Sequence, residues 1–419
     1  MRAVDEHRGR LLPYCIVAGS MSLGYGSIYT LLADLRDRYG FSEAQLGLIV
    51  AAGFLAGFVA QLALAPLADR GHAAVLVRGG ITLAMAAMIG SAVARTFWAF
   101  LLARLLLGLG SGAVGPAIRR ITITRDPAEV GANLGRLASF DVAGFVLGPL
   151  VAALLAQAGL RVPFVFLAVV FVGVLLLALR LDLTAGNTGA RPRRALRSLV
   201  VRPAIQATLA ASVAFYVTVG MFEAIWAVLL RDRGAETWLI GLTLSLFTVP
   251  MIFLAPIGGR MAQARGPLRV VSVSIAIATV CTFSYGVLPS LWMLLAVSVV
   301  HAVADSFTMP SNQVAAALGS PPEHLSAAQG LLGATGLAAA GLTGLVAGAV
   351  YEEAGRFAVC AGTAVTMAVF LATAITLGRR ELAQRPEAHD GDDWATLALA
   401  VRDRLAVANP NHLNRSTAT

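Results

Sequence analysis

The chain has 419 residues, of which 58% are hydrophobic and only 13% are charged, and its mean hydropathy is +0.76. This composition excludes a water-soluble globular protein and predicts an all-α membrane protein. The formal net charge of +9 comes from arginine, because the sequence contains no lysine. No soluble basic domain carries that charge, so it does not favour nucleic-acid binding.

Apolar runs of about 18 residues or more recur twelve times along the chain. The first run has no small-residue cleavage site after it, so we expect it to be retained as a helix. The three cysteines fall inside the runs and show no metal-ligand spacing. The twelve predicted transmembrane helices are at about 11–33, 46–66, 76–94, 97–117, 138–158, 162–180, 206–229, 238–258, 269–288, 291–316, 327–350 and 357–378.

The arginines are distributed unevenly between the two sides of these helices. With a cytoplasmic N-terminus, twenty of them, including Arg119, Arg120 and Arg136, lie on the cytoplasmic side, against seven on the other. Basic residues accumulate on the cytoplasmic side of membrane proteins. We therefore expect a multi-pass protein of the cell membrane with both termini in the cytoplasm.

The sequence repeats at an offset of 194 residues. Gly26 aligns with Gly220, and Asp69 aligns with Gln263, without a gap. A parallel repeat of six helices predicts two pseudo-symmetric six-helix bundles that rock around a site at the middle of the membrane.

The repeat divides the chain into four regions. We predict an N-terminal bundle at 1–180, a cytoplasmic linker at 181–203, a C-terminal bundle at 204–378 and a cytoplasmic tail at 379–419. The tail has an amphipathic pattern at 392–405, which fits a helix on the inner leaflet, a solvated helix or a disordered segment.

Three motifs lie on these predicted helices and loops. The loop after span two reads Ala65-Pro66-Leu67-Ala68-Asp69-Arg70-Gly71-His72, with a degraded copy at 259–266 after span eight. Span four contains Arg104-Leu-Leu-Leu-Gly108-Leu-Gly110, and span five contains Gly135, Gly144, Gly148 and Pro149. These motifs resemble the loop motif, motif B and motif C of the major facilitator superfamily, and motif C is similar to the signature of its twelve-helix drug/proton antiporters.

The resemblance implies the major facilitator fold and a transporter that is not an enzyme. It implies export, a proton gradient as the energy source and no cofactor. It also assigns Asp69 and Arg70 to a conformational motif in which Asp69 meets the positive N-terminal end of span eleven. The alternative for Asp69 is a solvated acid beside arginines that only set the topology.

Arg104 and Asp141 are the candidate proton-coupling residues of the N-terminal half. Arg104 lies about seven residues, or roughly 10 Å, into span four. It is either a permanent cation that favours proton release from a nearby acid or a side chain that snorkels to the interface. Asp141 lies in span five on the same helical face as Gly144 and Gly148, where a neighbouring helix can approach closely. We expect Asp141 to be a protonation site coupled to Arg104 directly or through water; the alternatives are a packing contact or a hydrated acid.

Span seven carries the candidate substrate site. Tyr216, Gly220, Glu223 and Trp226 follow at helical steps, so we predict one face with an acid and two aromatic rings. Such a face suits a lipophilic cation, although Glu223 is alternatively a buried structural acid. The remaining predicted substrate-binding residues are Phe222, Tyr25 and Tyr29.

Span ten places His301 and Asp305 four residues apart. At that spacing they can share a proton and take part in proton coupling, or they form a polar lining without proton traffic.

Together these features predict a proton-coupled exporter of a small amphipathic or cationic compound that works by alternating access. The expected partners are that substrate, protons and the lipid bilayer, with no nucleic acid, and the expected functional unit is a monomer. Two alternatives remain: a symporter or facilitator that imports a nutrient, and a non-transporting receptor or assembly subunit. No catalytic nucleophile, phosphate-binding loop or metal cluster is apparent in the sequence.

Overall fold

A computed structural model describes residues 2–184 and 195–383 of the chain. The amphipathic pattern at 392–405, and with it the interpretation of the tail, lies outside these residues. The described residues form helices joined by short turns. In chain order they are α1 (Arg2–Gly26), α2 (Ile28–Tyr39), α3 (Glu43–Leu67), α4 (Ala73–Val93), α5 (Phe97–Arg125), α6 (Val130–Ala156), α7 (Val162–Arg180), α8 (Ala195–Val200), α9 (Pro203–Arg231), α10 (Thr237–Arg265), α11 (Pro267–Val287), α12 (Leu291–Gly319), α13 (Leu325–Leu377) and α14 (Arg379–Ala383).

Nine stretches of the described helices are long and apolar enough to cross a membrane. Two of them, Gln45–Val93 and Pro322–Leu377, have 49 and 56 residues, about twice the length that one crossing needs. Each contains a glycine with positive φ, Gly71 at 89° and Gly355 at 78°, where the helix direction changes and a second crossing begins. With α10, the described residues make twelve crossings, and the predicted all-α fold is confirmed.

The helices pack into two six-helix bundles. In the N-terminal bundle α1 packs on α6, and α5 packs on α3 and α4. In the C-terminal bundle α9 packs on the first crossing of α13, and α10 and α11 pack on α12. Across the bundle boundary, α6 contacts α10 and α3 contacts α13. The repeat makes these two contacts equivalent to each other, because α3 corresponds to α10 and α6 corresponds to the first crossing of α13.

Local sequence signals fix several helix starts. Ser42 forms a capping box with Gln45 at the start of α3, and the Thr96 hydroxyl accepts a hydrogen bond from the backbone N–H of Ala99 in α5. Proline stands in the first turn of α9 and α11, where its missing N–H costs nothing.

Two predicted helix ends were wrong. Span four was expected to end near 117, but α5 continues to Arg125 and includes Arg119 and Arg120. Span five was expected to begin at 138, but α6 begins at Val130 and includes Arg136. Apolarity marks only the part of a helix that faces lipid or a dry core. A helical segment that buries paired arginines therefore looks like a loop.

Candidate functional site

The Asp69 carboxylate joins the two bundles. Its Oδ1 accepts hydrogen bonds from Arg120 Nε at 2.8 Å and from the backbone N–H of Ser326 at 2.9 Å, and its Oδ2 accepts one from the N–H of Ala327 at 2.8 Å. Asp69 and Arg120 are fully buried. Ser326 and Ala327 lie in the first turn of α13, where free N–H groups and the helix dipole attract an anion. Arg70, beside Asp69, is exposed.

The repeat-related residue Gln263 makes the equivalent contact. Its Oε1 accepts a hydrogen bond from the N–H of Gly131 at 2.6 Å, and its Nε2 donates to the carbonyl of Ala128 at 2.7 Å. The backbones touch here, because a Cβ on Gly131 would overlap the carbonyl of Gly259. We call the end of the molecule that carries the Asp69 and Gln263 contacts the Asp69 face.

The cross-bundle contacts continue only part of the way from the Asp69 face. Gln61 of α3 packs against the backbone of Gly330 in α13, and Gly135 of α6 packs against that of Ala255 in α10. Leu337 of α13 still contacts α3 near Gly57, but four residues further from this face nothing lies within 4 Å of a Cβ placed on Gly341. The bundles are therefore closed together at the Asp69 face, and the space between them widens toward the other end.

Tyrosines and one acid border this space, which we call the central cleft. Glu223 in α9 lies within electrostatic range of Tyr25 and Tyr29 of the other bundle and of Tyr216 of its own helix. Glu223 is exposed and makes no ion pair with any described residue. The cleft thus holds an acid among aromatic rings.

Trp226 does not belong to this cleft, contrary to the prediction. It is 2% exposed, its ring packs 4.6 Å from that of Phe222, and its Nε1 donates to Thr243 at 3.2 Å. Phe222 is half-buried and lies between Trp226 and the Glu223 surface. Trp226 is a core residue of the C-terminal bundle.

Arg104 is buried inside the N-terminal bundle. Its Nη1 donates to the carbonyl of Tyr25 at 3.0 Å, and its guanidinium carbon lies 4.1 Å from the centre of the Tyr25 ring. Its Nε and Nη2 have no partner among the described residues. The stem of Arg104 crosses α3 at Gly53, where a Cβ would meet it. The side chain therefore does not snorkel to the interface.

Asp141 is held by residues that the sequence reasoning missed. Its Oδ2 accepts a hydrogen bond from Arg119 at 3.3 Å, and its Oδ1 accepts one from the Ser22 hydroxyl at 3.2 Å. Of the two predicted forms of coupling to Arg104, directly or through water, the direct contact is not present among the described residues. The side chains of Arg119 and Asp141 are 18% and 19% exposed, and both lie within electrostatic range of Tyr216 of the other bundle. This pair lies at the edge of the central cleft.

The signal for Arg119 was present in the sequence. Asp141 lies twelve residues after the turn that ends at Glu129, whereas Arg119 and Arg104 lie seven and 22 residues before Asp126. At 1.5 Å per residue along the helix axes, the height of Arg119 differs from that of Asp141 by about 8 Å, and the height of Arg104 differs from it by about 15 Å. Only Arg119 is within reach of a long side chain.

The glycine motifs place helices in backbone contact. A Cβ on Gly108 would overlap the carbonyl of Gly53, one on Gly144 that of Gly19, and one on Gly148 that of Leu23. The Pro149 carbonyl accepts a hydrogen bond from the Thr30 hydroxyl at 3.1 Å.

His301 and Asp305 lie deep in the C-terminal bundle, away from Asp141. His301 Nε2 lies 3.6 Å from Asp305 Oδ2, and His301 Nδ1 is 3.1 Å from the Tyr285 hydroxyl. The two side chains are buried. The described residues contain no group of three or more His, Cys, Asp or Glu that could hold a metal ion.

Comparisons with known proteins agree with this architecture. The family model described as Major Facilitator Superfamily matches residues 14–236 and 208–410. The chain is 27% identical over 279 residues to Multidrug resistance protein MdtG of Citrobacter koseri, which covers 64% of this chain and 68% of the relative. It is 26% identical over 279 residues to Multidrug resistance protein MdtG of Salmonella arizonae, and this match covers 64% of this chain and 69% of the relative.

Solved structures share the fold at lower identity. The human organic anion transporter MFSD10 superposes with a TM-score of 0.72 at 16% identity, covering 88% of this chain and 99% of that chain. The transporter FucP, solved in the outward conformation, superposes with a TM-score of 0.72 at 15% sequence identity, covering 88% of this chain and 98% of that chain. The chain belongs to the major facilitator superfamily and is a multi-pass membrane transporter of small molecules, not an enzyme.

Proposed function

We propose that the protein is a proton-coupled antiporter that exports a small amphipathic or cationic compound by alternating access. In this proposal it acts as a monomer in the cell membrane, its termini and the Asp69 face are cytoplasmic, and the proton gradient supplies the energy. The observation that carries the proposal is Glu223, an exposed acid without an ion-pair partner among the described residues, which faces tyrosines across the central cleft.

An acid between two membrane-embedded bundles is stable in only two forms. It is either protonated or neutralised by a cation, because an isolated carboxylate in such an environment is costly. A cationic substrate and a proton therefore compete for Glu223. When the cleft opens alternately to the two sides, this competition exchanges one for the other, which is antiport.

The aromatic residues of the cleft suit the apolar part of such a substrate. The faces of Tyr25, Tyr29 and Tyr216 attract a cation, and their rings provide apolar contact area. Arg104, which lies over Tyr25, disfavours a second cation next to it. This arrangement favours a monovalent lipophilic cation that binds closer to Glu223 than to Arg104.

Asp141 is the second proton carrier in this proposal, with Arg119 as its counter-ion. Protonation of Asp141 removes the charge that Arg119 pairs with, and Arg119 then presents an uncompensated cation toward Tyr216. Because Tyr216 belongs to the other bundle, a change at this pair acts across the bundle boundary.

Everted membrane vesicles test the proposal. With an acid interior, we expect uptake of tetraphenylphosphonium that collapses with a protonophore. Glu223→Gln abolishes it, whereas Glu353→Gln, which neutralises an exposed acid of α13, leaves it unchanged. Uptake only in right-side-out vesicles would instead favour an importer, and wild-type, proton-dependent uptake by the Glu223→Gln protein would refute the assignment of Glu223.

A further inference from the structure

The C-terminal bundle contains a chain of buried polar side chains that the central cleft does not use. It begins at His301 and Asp305 and continues along α12 through Thr308, Ser311, Asn312 and Gln313, all at most 5% exposed. His301, Asp305, Thr308 and Asn312 follow at steps of four, three and four, so they form one stripe about 16 Å long.

The chain of polar groups reaches the Asp69 face. Gln329 of α13 donates from Nε2 to the carbonyl of Gln313 at 2.8 Å. One turn before Gln329, Ser326 is the residue whose N–H binds Asp69. A continuous series of polar groups therefore connects the middle of the C-terminal bundle with the Asp69 face.

Many atoms of this series have no protein partner. Buried polar atoms are nearly always hydrogen-bonded, and where protein groups do not serve them, water does. Seven such atoms lie in one series, which is the pattern of a file of bound water. The atoms without a partner among the described residues are His301 Nε2, Asp305 Oδ1, Ser311 Oγ, Asn312 Oδ1, Gln313 Oε1, Ser326 Oγ and Gln329 Oε1.

The internal repeat provides a control for this pattern. Five of the eight positions of the series have apolar equivalents in the N-terminal bundle: His301, Thr308, Ser311, Asn312 and Ser326 correspond to Leu107, Val114, Ala117, Ile118 and Ala132. The other three, Asp305, Gln313 and Gln329, correspond to Ser111, Arg119 and Gly135. The fold itself therefore does not require polar residues at most of these positions.

Aromatic rings separate the other end of the series from the central cleft. The rings of Phe222 and Phe247 each lie 5.5 Å from that of His301, and Tyr285 stacks on it at 5.8 Å. The other titratable groups near the pair are the Tyr285 hydroxyl and the Cys281 thiol of α11, with Cys360 of α13 behind Tyr285. None of them carries a positive charge that would hold Asp305 ionised.

We propose that this series is a hydrated proton path from the Asp69 face to the His301–Asp305 pair, separate from the central cleft. Asp305 holds a proton as a carboxylic acid, gives it to the adjoining water file and takes one back from the same file. His301 fixes the carboxyl by its position. That this proton contributes to transport rests on the proposed function; the path itself does not.

Infrared spectroscopy of the purified full-length protein tests the path without any substrate. We expect a carboxylic-acid carbonyl band at neutral pH that Asp305→Asn removes and Asp305→Glu moves. After transfer to D₂O the band shifts as the proton exchanges. Thr308→Val and Asn312→Leu, which interrupt the series, slow that exchange by about tenfold.

The matched control is Thr366→Val, because Thr366 lies on α13 outside the series and its hydroxyl donates to the carbonyl of Gly362 in its own helix. It leaves the exchange rate unchanged. Two results overturn the proposal: no band that depends on residue 305, or wild-type exchange in both interrupted variants. Since Thr308→Val is nearly isosteric, it serves where Asn312→Leu does not fold.

Proteoliposomes then separate the path from the proposed function. Asn312→Leu retains counterflow of tetraphenylphosphonium, which needs only the central cleft, and loses the proton-driven component. If the wild type shows no counterflow, the proposed function fails while the exchange result still decides the path. If Asn312→Leu keeps wild-type proton-driven transport, the contribution of the path to coupling is refuted, whereas the exchange result decides whether the path exists.

Discussion

Replacing Asp69 with asparagine should shift the protein toward conformations that are open at the Asp69 face. The wild-type carboxylate accepts hydrogen bonds at 2.9 and 2.8 Å from Ser326 and Ala327 of the opposite bundle. An asparagine has one acceptor oxygen, so its NH₂ group faces one of these N–H donors. It also loses the attraction of a negative charge to the start of α13.

The size of the shift follows from which contacts break on opening. Arg120 lies in the same bundle as Asp69, so their ion pair is present in both conformations and its loss affects the stability of the fold only. The two hydrogen bonds to α13 break on opening, and each bond to a charged group contributes about 1.5–3 kcal/mol. The variant keeps one neutral hydrogen bond, so its closed state loses about 3 kcal/mol of stabilisation relative to the open state. The ratio of closed to open molecules therefore falls roughly a hundredfold.

Distance measurements between spin labels can detect this change. We suggest labels at 72 and 323, which lie on the Asp69 face in different bundles, in a protein whose three buried cysteines are replaced. Asp69→Asn should move the distance distribution from a single short population to one dominated by longer distances.

Asp182→Asn is the matched control on the same side of the N-terminal bundle. The hydroxyl and backbone N–H of Thr184 donate to Asp182 and lower the pKa of its carboxyl, so the substitution removes a real charge. Asp182 also pairs with Arg125 of its own bundle at 3.2 Å. We call a contact that holds the two bundles closed at the Asp69 face a latch. Unchanged distances in Asp69→Asn, or an equal change in Asp182→Asn, would refute the role of Asp69 as a latch.

Three further outcomes follow from the packing and charges of the N-terminal bundle. Gly144→Ala should lower the midpoint of thermal unfolding, because the new methyl group overlaps a backbone carbonyl and overpacking costs about 1–3 kcal/mol. Gly341→Ala is the control and should leave the midpoint unchanged, because the space around Gly341 is open. Arg104→Lys should reduce transport more than tenfold without unfolding the protein, since a point charge does not reproduce a planar guanidinium over a ring; wild-type rates would refute this. In vesicles, Arg119→Gln should shift the pH profile of transport in the same direction as Asp141→Asn. Opposite shifts would contradict the pairing of Arg119 with Asp141.

The fold was predictable because its signals are long and repeated. Each crossing contributes about 20 apolar residues, and the repeat at 194 residues relates both halves without any structure. The contact of Gln263 with α6 has the same origin. It is the counterpart, at this offset, of the contact of Asp69 with α13.

The side-chain partners were less predictable, for geometric reasons. Tyr216, Glu223 and Trp226 were assigned to one face, but a step of three residues turns only 300° around a helix. Around the helix axis, Glu223 points about 20° and Trp226 about 80° away from the direction of Tyr216. The larger angle is enough to turn the Trp226 ring into the bundle. The partner of Arg120 could not be found from local sequence at all, since Asp69 lies 51 residues away on another helix.

The two latches at the Asp69 face are equivalent in position but not in strength. Gln263 uses neutral hydrogen bonds of about 1 kcal/mol each, whereas Asp69 uses charge-assisted bonds that are about twice as strong. A carboxylate at position 263 has no N–H to donate to the Ala128 carbonyl, so the contact as it stands requires the amide. In the alternating-access cycle proposed above, the weaker glutamine contact keeps the closed and open states close enough in free energy for a substrate or a proton to change their order. The degraded copy of the loop motif therefore suits a transporter that opens at this face in every cycle of the proposed mechanism.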